Sequence, residues 1–132
     1  MNPKECRYSK DHEWFCSEGG NKGKIGITAY AQDQLGDIVF LDLPAPGTQL
    51  TQFKKLGEVE SVKAVSDVFS PISGRVTGKN PKITDHPEIV NQDPYGNGWL
   101  IEVEISNSSE LNGLMDSATY DKFVAGLTEE KK

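Results

Sequence analysis

With 132 residues, 36% of them hydrophobic and 8% aromatic, the chain has material for one modest core and too little for two ordinary domains, so a single domain over 1–132 is expected. A formal net charge of −6 repels phosphate backbones and anionic bilayers, which argues against nucleic acid and membrane partners and favours proteins with basic patches. Cys6 and Cys16 leave no dense disulfide framework, and with His12 and His86 the only histidines, neither a Cys-x-x-Cys motif nor zinc-ligand spacing is assembled; a reducing compartment and no bound metal are expected.

The chain opens Met1-Asn2-Pro3-Lys4-Glu5, without the apolar stretch of a secretory signal, and no run approaches bilayer-spanning length; the expected location is the cytoplasm. Gly19-Gly20-Asn21 signals a turn, and Lys24-Ile25-Gly26-Ile27 alternates like a half-buried strand. The glycines here do not form a phosphate loop, because Glu18 stands where its first glycine belongs and Ile25 replaces its hydroxyl residue. Thr28 can cap a short helix in which Ala31 and Leu35 share a face and Gly36 ends the run. Ile38 to Leu43 reads as a strand closed by Pro44-Ala45-Pro46-Gly47.

Gly57 to Val62 and Ala64 to Phe69 read as the arms of a hairpin over about 57–69, with Lys63-Ala64 the plausible reversal between runs of valine. A tight reversal there pushes the Lys63 amine into solvent. Pro71-x-x-Gly74 then repeats the spacing of Pro44-x-x-Gly47 on the other side of Lys63, which fits two similar half-sheets packed face to face. Trp99, Ile101, Val103 and Ile105 alternate with Leu100, Glu102 and Glu104, so Trp99 is expected on the buried face of a strand and the glutamates on its wet face. Tyr120, Phe123, Val124 and Leu127 fall at helical spacing with Ser117 available as a cap. They predict an amphipathic helix in a helical segment of about 109–128 that packs on the sheet and frays over Glu129 to Lys132.

No Gly-x-Ser-x-Gly or supported triad is present, and nothing here performs catalysis unaided. A lysine held at a hairpin tip suits the carriage of a group instead. The run Glu60-Ser61-Val62-Lys63-Ala64-Val65-Ser66-Asp67-Val68, followed by Ser70-Pro71-Ile72-Ser73-Gly74, resembles the lipoyl-attachment hairpin of the glycine cleavage H-protein family. His12-Glu13-Trp14, Leu35-Gly36-Asp37-Ile38-Val39-Phe40, Pro94-Tyr95, Gly98-Trp99-Leu100 and the segment from Leu114-Met115 to Tyr120 follow in that family's order, so the resemblance covers roughly Tyr8 to Leu127.

The resemblance implies a mainly β, lipoyl-domain-like barrel-sandwich hybrid of two small sheets, with a short helix in the N-terminal half and a C-terminal amphipathic helix. It implies lipoic acid on Lys63, joined by an amide and reaching about 14 Å. Such a carrier is not an enzyme. It takes the aminomethyl group of glycine from a pyridoxal-phosphate glycine decarboxylase to a tetrahydrofolate-dependent aminomethyltransferase, and its dithiol to dihydrolipoamide dehydrogenase. A lipoate ligase or a lipoyl/octanoyl transferase modifies it, with Glu60 the expected recognition residue. A biotin carrier would place methionines beside the lysine, where this chain has Val62 and Ala64.

The family also implies a cleft that shelters the loaded arm. By their place in the motifs Glu13, Asp11 and Asp67 are expected to border it and hold a protonated amine by charge-assisted hydrogen bonds. Loss of the Glu13 carboxylate is expected to leave folding and lipoylation largely intact, since that contact forms only in the loaded state. Gln34 stands where some relatives have histidine. Two other readings use the same residues: a lipoyl carrier serving lipoate relay or a sulfur-oxidising system, and an unmodified interaction domain.

Overall fold

The structure is a computed structural model that describes residues 2–130, with side chains described to residue 127. Its strands form two antiparallel sheets: a six-stranded sheet in the order β1-β2-β3-β9-β8-β5 and a three-stranded sheet in the order β4-β6-β7. The strands are β1 Cys6–Tyr8, β2 Glu13–Gly19, β3 Lys22–Ile27, β4 Ile38–Asp42, β5 Gln49–Leu50, β6 Lys55–Ser61, β7 Val65–Phe69, β8 Gly74–Lys79 and β9 Ile101–Ile105. The expected half-sheets are thus unequal, because β1, β2 and β3 add a meander to one of them.

Alternation decides what each face does. Phe15, Ile25, Ile27, Val76, Ile101, Val103 and Ile105 point inward from the larger sheet and meet Ile38, Leu56, Val59 and Val68 of the smaller one in a single apolar core. The opposite face of the large sheet carries a second cluster, Cys6, Tyr8, Trp14 and Tyr120, with Trp99, Phe123 and Val124 packed on it. Trp14 lies opposite Gly26 across β2 and β3, and its ring covers that glycine so closely that a Cβ would collide with it.

The helices are α1 Ala29–Leu35, α2 Pro81–Asp85, α3 Glu88–Gln92 and α4 Ser117–Glu130, with a 3₁₀ turn at Ser108–Gly113. Thr28 caps α1 as expected, accepting from the Ala31 amide. Gly36 closes α1 at φ 80°, a left-handed conformation that favours glycine. For α4 the cap is Asp116 rather than Ser117, since its side chain accepts from the Thr119 amide at 2.8 Å. The helix runs through Glu130, past the expected onset of fraying; Lys131 and Lys132 lie outside the described residues.

Trp99 departs from expectation. The strand begins at Ile101, and Leu100 is fully buried, so the alternation does not extend back to the tryptophan. A turn over Asp93 to Gly98, closed by the Gly98 amide on the Asp93 carbonyl at 2.8 Å, delivers Trp99 to the outer face. There it is partly buried beneath the Lys24 ammonium, 4.9 Å from the ring centroid.

Candidate functional site: the Lys63 hairpin and its cavity

β6 and β7 pair from Lys55↔Phe69 to Glu60↔Val65, and residues 61–64 make the reversal. Ser61 organises it: its amide donates to the Ala64 carbonyl at 2.8 Å, and its hydroxyl oxygen accepts the amides of Lys63 and Ala64, each at 3.2 Å. The tip is also tied to the turn after α1 by the Val62 amide on the Asp37 carbonyl at 3.0 Å. Asn91 of α3 secures that turn from beneath, donating to the Gly36 carbonyl at 2.8 Å and accepting from the Ile38 amide at 2.9 Å. The mount is therefore rigid because three separate segments hold it. Ser61 stands in the lysine motif and Asn91 far from it in the sequence, and neither residue type by itself signals this work.

Lys63 is exposed at the tip, as the reversal predicts. Its stem lies over Gly36, where a Cβ would stand 3.2 Å from the lysine Cε, and its Nζ donates to the Gln34 carbonyl at 3.3 Å. Val62 and Val65 beside it are 67% and 58% exposed, large values for valine at a place any enzyme acting on this lysine must cover. Glu60 is exposed as well, with Phe40 and Val65 as its cross-strand neighbours.

Gln34 also borders a cavity of about 280 Å³ between α1, the start of β2 and the β7 edge. Asp11, Glu13 and Asp67 all line it, so the structure brings together the three carboxylates that the motifs single out. Ile27, Ala31, Leu35 and Val68 supply its apolar wall. Asp67 is half-exposed and paired with Lys55 at 3.2 Å, and Asp11 is exposed.

Glu13 is different: it is 2% exposed and already engaged inside the protein. One carboxyl oxygen accepts from the Ser9 hydroxyl and the other accepts the Phe69 amide at 3.1 Å, which joins β2 to the end of the hairpin. Burial pushes its carboxyl up to about 7, against the opposing pull of those hydrogen bonds. The expectation that its removal spares the fold is corrected, because Glu13→Ala strands buried donors at a cost of about 1–3 kcal/mol. Its neighbour His12 sits at φ 70° with Nδ1 2.8 Å from the Tyr120 hydroxyl, which in turn lies 2.7 Å from Thr28 Oγ1. That chain fixes the cavity's floor to α4 and α1.

Cys6 and Cys16, which sequence reading left unpaired, face each other across β1 and β2 with Cα atoms 4.3 Å apart and form a disulfide. Among the described residues, no helix is long and apolar enough to cross a membrane.

Comparison with known proteins finds relatives in both sequence and overall structure. The family model described as Glycine cleavage H-protein matches residues 6–126. A glycine cleavage system H protein of Symbiobacterium thermophilum is 53% identical over 121 residues, covering 92% of this chain and 94% of that one. One from Carboxydothermus hydrogenoformans is 48% identical over 122 residues, covering 92% and 93%. The crystal structure of a glycine cleavage system H protein from Mycobacterium marinum superposes with a TM-score of 0.79 at 31% identity, covering 96% of this chain and 99% of that one. The chain belongs to the glycine cleavage H-protein family.

Proposed function

We propose that Lys63 is the attachment point of a lipoyl group, bound by an amide at Nζ, and that this chain acts in the cytoplasm as the non-enzymatic carrier of glycine cleavage. The observation that carries the reading is the placement of the Lys63 amine on the carbonyl of Gln34, a residue that also borders the cavity lined by Asp11, Glu13 and Asp67. The residues present fit the group: the amine is exposed, and Gly36 leaves the stem room to cross the end of α1 toward that cavity. When bound, the group supplies a disulfide that accepts a one-carbon amine and closes again by thiol–disulfide exchange.

The chain's own residues do the rest. Ile27, Ala31, Leu35 and Val68 exclude water from the cavity. Asp11 and Asp67 attract a cationic amine brought there, and Glu13 completes the acidic wall from a buried position. A carboxyl that titrates near neutrality becomes the stronger acceptor when a cation approaches, because the cation favours its ionised form. Glu60, exposed three residues before the lysine, serves recognition by a lipoate ligase or lipoyl/octanoyl transferase.

The partners on this reading are a pyridoxal-phosphate glycine decarboxylase, a tetrahydrofolate-dependent aminomethyltransferase and dihydrolipoamide dehydrogenase. The test supplies lipoylated chain to a glycine decarboxylase and follows carbon dioxide release. Release should saturate with the carrier and vanish with unmodified chain. Release that is indifferent to modification would contradict the reading.

A further inference from the structure

Away from the hairpin, on the outer face of the large sheet, the register lines up Cys6, Cys16, Lys24 and Glu102 in one row across β1, β2, β3 and β9. The two sulfurs of the disulfide are not equivalent. Cys6 is 1% exposed under the second cluster, whereas Cys16 is only partly buried against it. The pair borders a groove of about 520 Å³ with Trp14, Tyr95, Trp99 and Lys24 around it. Lys24, the cross-strand partner of Cys16, is held over this row by the Trp99 ring at 4.9 Å and by Glu18 at 3.1 Å. A partly exposed sulfur beside a fixed cation is the setting in which thiol chemistry proceeds, and a sulfur buried in apolar surroundings is not.

We propose that the Cys6–Cys16 disulfide is a reducible couple with a built-in direction, opened at Cys16 by small dithiols that enter the groove. A dithiol thiolate attacks Cys16 Sγ, the S–S bond breaks, and Cys6 leaves and takes up a proton. Cys6 remains against the mixed disulfide, poised to attack Cys16 and expel the newcomer, so a monothiol is readily thrown back. A dithiol escapes that reversal because its second sulfur attacks its first, closes a cyclic disulfide and expels Cys16 as a thiolate beside Lys24. In sum, two electrons and two protons pass from the dithiol to the protein, giving a cyclic disulfide and two cysteine thiols. The couple needs no modification at Lys63. It closes in oxidising surroundings and opens in reducing ones, so it sets whether the edge strand β1 is covalently cross-linked to β2.

The experiment treats oxidised, folded chain with dihydrolipoamide or with glutathione at equal thiol concentration, quenches with iodoacetamide, and reads intact and peptide masses. Dihydrolipoamide should open the pair faster by on the order of tenfold, and any trapped glutathione adduct should map to Cys16. Lys24→Gln should slow opening severalfold and Lys24→Arg should restore it, with circular dichroism confirming that both are folded. The wild-type measurements stand alone if either variant misfolds. Equal rates for the two reductants, an adduct on Cys6, or opening only in denaturant would overturn the proposal.

Discussion

Glu13 shows how one residue can serve the fold and the cavity at once. Its carboxyl sits near 7 in the folded protein against 4.5 ordinarily, with burial as the main cause. Between those values the folded state binds more protons than the unfolded chain, so stability falls as pH rises from about 4.5 to about 7 and is level above. The full difference is on the order of 3 kcal/mol. Glu13→Gln keeps the shape and one oxygen to accept the Phe69 amide, and turns the other site into an N–H donor toward the Ser9 oxygen, where the protonated acid donates an O–H. It cannot ionise, so it should lack this contribution. Urea denaturation at pH 5 and pH 8 checks it: the wild type should lose stability between the two and the variant should lose less by about that amount. Identical pH dependence in the two proteins would show that Glu13 does not titrate in this interval.

Among the elements, those that rest on local chemistry are legible in the sequence. The α1 helix is bounded by a threonine cap and a left-handed glycine, and both signals are adjacent in the chain. The Lys63 hairpin follows from valine-rich arms around a short reversal. What escaped reading depends on which segments pair and in what register: the joining of the β1, β2 and β3 meander to distant β9, the register that sets Cys6 opposite Cys16, and the grip of Asn91 on the turn beneath Lys63. The α2 helix was within reach, since Asn80-Pro81 is a cap followed by proline at the first helical position. Trp99 went wrong because alternation was extended past the end of its strand. Its partial burial lowers the expected cost of Trp99→Ala from the 3–5 kcal/mol of a core aromatic to about 1–3 kcal/mol. Thermal or urea unfolding measures that directly, and a loss at the core value would return Trp99 to the interior.

At the scale of the whole molecule, the two sheets share one core that holds the hairpin's inner face, while α1 and α3 brace the turn on which its tip rests. Twelve lysines are distributed through the sequence, and among the described ones Lys63 alone stands at this braced reversal. On the proposed function, a modifying enzyme that selects by geometry should select Lys63. Lys63→Arg preserves the charge and removes the acylatable amine, because a guanidinium does not deprotonate at working pH. The decisive measurement is the intact mass of wild type and Lys63→Arg after incubation with lipoate ligase, ATP and lipoate. The account predicts one lipoyl addition to the wild type and none to the variant; a lipoyl addition to the variant, or none to the wild type, would contradict it.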